Sequence, residues 1–307
     1  MSRLYRILIS LGLVAVFFMP VTTIPALAAV IPITQISAKD FLKLGVENTS
    51  RGEFEQAIIN FSQAIKLDAK MAAAYSNRCL VYNQMEEYQR AIIDCTQAMQ
   101  LNPDKIESYL NRGLAYYRQG NYQEAIADYN QIIVLNPQEY RAYYNRGLAY
   151  FEQKEYKLAI ADYNQALHSS QLDAKATSLV YNDRGLAYFA LTNIQSAMAD
   201  FSQAIQLNDS DARAYYNRAC ACHRQRDFKS AVQDFTESLK RNPNQAEAYI
   251  NRGVVRYEIG YQQAAFEDLR KGAQCFCKQG QMVAYQQALN LLKKMQKSLA
   301  NLESEIG

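Results

Sequence analysis

The chain of 307 residues holds no tryptophan and two histidines, His168 and His223. Neither histidine stands beside a nucleophile motif, so Ser-His-Asp and Cys-His catalysis have few centres on which to form, and an enzyme is not expected. The 12 glycines are scattered rather than clustered after a strand, which argues against a phosphate-cradling loop, and no cofactor or metal is implied. An excess of one charge is missing too: 33 Lys and Arg face 30 Asp and Glu. Such balance gives no electrostatic case for nucleic acid and leaves little long-range steering.

The apolar run from Ile7 to Met19 is too short for a comfortable membrane span. Arg3 and Arg6 precede it, and Pro20, Pro25 and Ala26-Leu27-Ala28 follow. Residues 1–28 therefore read as a cleavable secretory signal cut before Ala29, with an uncleaved form as the only expected membrane attachment. No cysteine lies near the cut, which speaks against a lipid anchor. Without this segment 31 basic residues face 30 acidic ones. The mature chain is expected outside the cytoplasm, in a bacterial periplasm or an equivalent lumen bounded by an internal membrane.

What the sequence does contain is a phrase that returns. Tyr-X-Asn-Arg-Gly stands at Tyr109 to Gly113, 34 residues later at Tyr143 to Gly147, and again at Tyr249 to Gly253. Relaxed copies at Phe41 to Gly45, Tyr75 to Cys79, Tyr181 to Gly185 and Tyr215 to Ala219 bring the number to seven. A period of this size marks a stacked array whose units are each too small to bury an apolar face alone. Within residues 106–139, Tyr109, Gly113 and Tyr116 share one face of a first helix, A. After Gln119-Gly120-Asn121, Ala125, Tyr129 and Ile132 repeat that spacing in a second helix, B, so each unit is an antiparallel pair. Asn102-Pro103, Asn136-Pro137 and Asn242-Pro243 read as a cap followed by proline at the first position of the next A helix. Small residues in the columns of Gly113 and Ala125 mark where A and B cross closely.

These residues resemble the tetratricopeptide repeat, whose pattern is an aromatic, Leu-Gly, Tyr, then Ala, an aromatic and Pro. The resemblance implies an all-α fold, an α-α superhelix or solenoid of helix-turn-helix repeats whose A helices line a concave face that receives a peptide or partner helix. The expected organisation is a linker over 29–37, then seven units over 38–71, 72–105, 106–139, 140–177, 178–211, 212–245 and 246–279. A C-terminal capping helix and tail follow over 280–307, where Tyr285, Ala288, Leu292, Met295, Leu299 and Leu302 form an apolar stripe.

Departures from the pattern carry information. Arg78, Arg112, Arg146, Arg184, Arg218 and Arg252 are each followed 16 residues later by Asp, from Asp94 to Asp268; in the first unit both change together, to Leu44 and Asn60. Columns that change together are expected to touch, as a partly buried ion pair locking A against B. Between Arg146 and Arg184 the spacing grows to 38, and residues 168–178 are expected to lengthen a helix or enlarge a loop as a tolerated insertion. Cys220, Cys222 and His223, with Cys275 and Cys277, suggest a metal site, but residues two apart on a helix diverge by about 200° and are read as core. Cys79 and Cys95 occupy the facing columns of Gly113 and Tyr129, and a disulfide and a pair of packed thiols both fit.

The candidate surface follows from helix A. Asn111 lies about 200° from Tyr109. Its column holds Asn77, Asn145, Asp183, Asn217 and Asn251, and in the family this column looks into the concave groove, where amides hydrogen-bond a peptide backbone. Beside it run Tyr117, Phe151, Phe189, His223 and Tyr257, with Tyr144 and Tyr216 one residue before two of the asparagines. Aromatics among amides suit a sequence-tolerant peptide groove. Arg141 and Arg213 enter in the column of Lys39, yet Leu110 and Leu114 stand where the family's carboxylate clamp needs Lys and Asn, so a cytosolic co-chaperone is not implied. The expected function is a non-enzymatic interaction scaffold or assembly factor for a protein or peptide ligand. A glycan or cell-wall binder and a self-associating structural protein are the alternatives, and the oligomeric state stays open.

Overall fold

The computed structural model of the chain describes residues 36–306, with side chains through Asn301. The secretory signal expected over 1–28 lies outside them, as do residues 29–35 of the linker and the side chain of Leu302. Every element among the described residues is a helix. Fourteen pair as hairpins: α1 (Ala38–Ser50) with α2 (Phe54–Leu67), α3 (Ala72–Gln84) with α4 (Tyr88–Leu101), α5 (Ile106–Arg118) with α6 (Tyr122–Leu135), and α7 (Tyr140–Glu152) with α8 (Tyr156–Leu167). The series continues with α9 (Ala174–Ala190) and α10 (Ile194–Leu207), α11 (Ala212–Arg224) and α12 (Phe228–Arg241), and α13 (Ala246–Glu258) and α14 (Gln262–Lys278). The fifteenth, α15 (Met282–Ile306), closes the array.

Each hairpin turns at one left-handed residue. Gly52, Gly120 and Gly260 take that position at no steric cost, whereas Glu86, Lys154, Thr192 and Arg226 adopt it at φ of 61–63°. The following N–H then reaches back into the A helix, as Asn121 N donates to Tyr116 O at 2.9 Å, and satisfies the helix end. The opposite connections correct the reading of the Asn-Pro pairs. Asn102, Asn136 and Asn242 end the B helices, and the next A helices start three residues after each proline. The Asn136 and Asn242 side chains accept from the N–H two residues on, at 3.1 and 3.2 Å. That Asx turn suits proline at its second position, so the pair makes a turn instead of a helix start.

The interior follows the predicted columns. Ala57, Ala91, Ala125, Ala159, Ala197, Ala231 and Ala265 are fully buried. Gly113 is small because of a ring: a Cβ there would stand 2.7 Å from the Tyr129 side chain, and Gly45, Gly147 and Gly185 face Phe61, Tyr163 and Phe201 in the same way. In the second hairpin these two columns hold Cys79 and Cys95, joined by a disulfide with a Cα separation of 5.5 Å. There the cystine takes the place of the ring laid on glycine.

The Arg and Asp columns touch in all six units that carry them. Each guanidinium grips its Asp through Nε and Nη2 at 2.6–2.9 Å. The remaining nitrogen, Nη1, donates to Ser62, Thr96, Asn130, Asn164, Ser202 or Thr236 on the preceding unit's B helix, at 2.5–3.1 Å. One arginine thus ties three helices together and couples each unit to the one before it. In the first hairpin, where Leu44 stands in place of the arginine, Asn60 donates to Asn48 at 2.8 Å instead.

The interrupted period has a definite outcome. α8 stops after 12 residues and α9 runs for 17, so the insertion enlarges the connection over 168–173 and also adds a helical turn. The expected unit boundary at 177/178 therefore falls inside α9, and the fifth hairpin begins at Ala174. Each A helix also packs against the next A helix, while the B helices lack mutual packing of that extent, so the A helices form the inner wall. At the end, α15 buries Ala288 and Leu292 against the last hairpin, and the Tyr257 hydroxyl donates to the Met295 carbonyl at 3.1 Å. No helix among the described residues is long and apolar enough to cross a membrane.

Candidate functional site

Inner faces of α3, α5, α7 and α9 enclose a groove of about 530 Å³. Asn77, Asn111 and Asn145 line it at one-unit intervals, with Arg141 and Tyr144 beside Asn145 on α7. The same groove has an apolar lining that sequence reasoning missed, drawn from all its sides but α7: Leu80, Leu110, Leu114, Leu172, Leu179 and Val180. The signal is present in Leu110 and Leu114, two leucines on the groove side of α5 that the family pattern marks only as the loss of a clamp. Leu172 and Ala176 come from the insertion, which therefore builds part of the groove wall.

The asparagines separate into two groups. Asn111 and Asn145 have side-chain amides with no protein partner among the described residues, and Asn77 donates to its own helix at the Ala73 carbonyl (2.9 Å). Farther along, the same column is bonded across to neighbouring A helices. Asn217 donates to Asn182 at 2.9 Å, Asn251 donates to the Tyr216 hydroxyl at 2.9 Å, and Asp183 accepts from the Tyr144 hydroxyl at 2.7 Å. An amide already engaged with its neighbour has less to offer a ligand.

The aromatics divide likewise. Tyr144 lines the groove between α3 and α9, Phe189 a larger depression of about 770 Å³ with Asn251 and His223, and Tyr216 a smaller one of about 240 Å³ against α15. Tyr117 packs on Tyr122 and Phe151 on Tyr156 across their hairpin turns, with ring centroids 5.6 and 5.3 Å apart, and Tyr257 packs on Phe266 at 6.2 Å. These three brace hairpins. Arg141 folds back on Glu139 through two bonds of 2.7 and 2.9 Å, and Arg213 does the same with Asp211 at 3.0 Å. The Arg141 bond holds the Glu139 carboxyl below its ordinary value.

Cys220 and Cys222 are not activated as nucleophiles. Burial pushes the Cys220 and Cys222 thiols up to about 11, opposite to what nucleophilic chemistry needs. Cys220 and Cys275 pack against the core cluster around Cys222, Phe235 and Tyr249.

Stacked helix hairpins with their inner helices bared define a helical-repeat solenoid of the interaction-scaffold class. Tetratricopeptide repeat models match residues 80–133, 110–176, 179–211 and 212–245. The chain belongs to the tetratricopeptide repeat family. Among solved structures it is similar to a tetratricopeptide repeat protein from Parabacteroides merdae, at 19% identity and a TM-score of 0.64, over 83% of this chain and 98% of that one. It is similar as well to the APC/C hetero-tetramer Cut9-Hcn1, at 21% identity and a TM-score of 0.62, over 71% of this chain and 43% of that one, so it spans under half that chain's length. YrrB, a TPR protein with an unusual peptide-binding site, aligns at 21% identity and a TM-score of 0.51, over 65% of this chain and 97% of that one. At these identities the likeness is one of fold. No curated protein sequence matches the chain.

Proposed function

We propose that this protein is a non-enzymatic scaffold that holds an extended segment of a partner protein in the groove between α3 and α9, outside the cytoplasm. The observation that carries the reading is the coincidence of two unengaged amides, Asn111 and Asn145, with an apolar lining in one concavity of about 530 Å³. Amides at one-unit spacing offer donors and acceptors to a backbone, and the leucines offer contact area to its side chains. Neither needs a particular sequence. Export is supported by the leader-like residues 1–28 and by the Cys79–Cys95 disulfide, a bond that persists in oxidising compartments.

The test is recovery of a partner from the host's non-cytoplasmic fraction on immobilised protein, beside the triple variant Asn77→Ala, Asn111→Ala, Asn145→Ala. A partner retained by the native chain and lost by an equally helical variant supports the groove. A partner retained equally by both moves binding to another face.

A further inference from the structure

From the second unit to the seventh, the groove column reads Asn77, Asn111, Asn145, Asp183, Asn217 and Asn251, so Asp183 is its one acid. Ala176, Leu179, Val180 and Asp183 fall at i, i+3, i+4 and i+7 on one face of α9, and the first three line the groove. Asp183 therefore stands on the same face one turn beyond the lining residues, bonded to Tyr144, which lines the groove. Its Oδ2 accepts from the Tyr144 hydroxyl at 2.7 Å, and its Oδ1 from the Asn182 amide at 3.2 Å. Both donors are neutral.

The charged groups around it are committed elsewhere. Arg213, the cation whose field reaches Asp183, is paired with Asp211 at 3.0 Å; Arg141 is paired with Glu139 at 2.7 Å; Glu107 on the groove rim is paired with Lys105 at 3.1 Å. Asp183 enters no ion pair among the described residues. An asparagine has nearly the same shape and carries no charge, and five other units use it at this position. A half-buried carboxylate without a counterion is an unfavourable choice for the scaffold alone, and it becomes favourable when a bound cation completes the pair.

We propose that Asp183 receives a lysine or arginine side chain of the bound segment, beside an apolar side chain that rests on Leu110, Leu114, Leu172, Leu179 and Val180. This rests on the groove reading above and makes the groove selective for basic-apolar segments. Tyr144 orients the carboxylate from the adjacent A helix, and the insertion that carries Leu172 supplies part of the apolar contact.

The probe is an array of capped 12-residue peptides, random except for one Leu and, within four positions of it, a fixed Lys, Arg, Gln or Glu. The protein should retain the Lys and Arg sets about tenfold over the Gln and Glu sets, the scale of one hydrogen bond to a charged group. Asp183→Asn should keep the helical content and the Gln and Glu retention while lowering the Lys and Arg sets to that level; Asp183→Ser gives the same readout where the asparagine form does not fold. Binding without a basic preference, or a preference that survives loss of the carboxylate, overturns the Asp183 assignment and leaves the groove intact. Retention of no peptide set overturns the groove reading together with it.

Discussion

The two halves of the inner wall use one column of residues for different ends. From α3 to α7 the asparagines Asn77, Asn111 and Asn145 face an open groove with a leucine lining. From α9 to α13, Asn217 and Asn251 bond to Asn182 and Tyr216 on the adjacent A helix, and α15 closes over the smaller depression beside them. The ion-pair ladder beneath is the same in both halves. A repeat protein can thus keep its scaffold uniform and still specialise, because the ladder and the groove sit on different faces of the same helix. What decides the role of an asparagine is whether the next unit presents a partner to it.

The largest expected effect tests that uniformity. Asp94→Ala and Asp234→Ala should each cost about 3 kcal/mol, the lower end for breaking a buried ion pair, because Arg78 and Arg218 stay 17% and 25% exposed. Urea unfolding midpoints give the comparison. A loss in one half only would mean that the ladder is not one structure. Next in size is an asymmetry: the disulfide spans 16 residues in the second hairpin, and its reduction should cost about 3 kcal/mol in that half alone. Hydrogen exchange should show protection falling in α3 and α4 and holding in α11 and α12, and equal loss in both would deny the bond a local role.

A smaller pair of effects separates binding from stability. Replacing Asn77, Asn111 and Asn145 by Ala should weaken a bound segment about tenfold at little cost in stability. Replacing Asn217 and Asn251 by Ala should do the reverse, with about 1 kcal/mol lost for each bond between A helices and affinity kept. Calorimetric titration beside urea unfolding reads both, and affinity falling equally in the two variants would erase the distinction between the halves.

Much of the scaffold was legible because it repeats. The spacing of Tyr109, Gly113 and Tyr116 placed helix A, and the joint change to Leu44 and Asn60 exposed the contact between the Arg and Asp columns. What escaped was whatever the period does not carry. Asn-Pro suits both a helix start and an Asx turn, and only the path of the chain around Asn136 selects the turn. Leu172 lies in residues without a counterpart in other units, so no column announced its place in the groove. Asn217 and Asn145 share a column, and the difference between them is set by Asn182, 35 residues away on another helix.

The smallest effect bears on the residue at the junction of the halves. Burial raises the Asp183 carboxyl above its ordinary value and Asp211 adds to the rise, against the pull of Tyr144, Asn182 and Arg213. The folded protein then holds this proton at pH values where the unfolded chain has released it. Stability from this group is highest in acid, declines as pH rises from about 4 through the folded value, and stays lower above it. Asp183→Asn removes the titration, so the variant should gain stability over the parent as pH rises through that window, and the difference should level off above the folded value. Other carboxylates are common to both proteins and cancel when thermal midpoints are subtracted. A variant that instead loses stability relative to its parent as pH rises would show that Arg213 already stabilises Asp183 as a charge, in which case Asp183 has no need of a cation from its ligand.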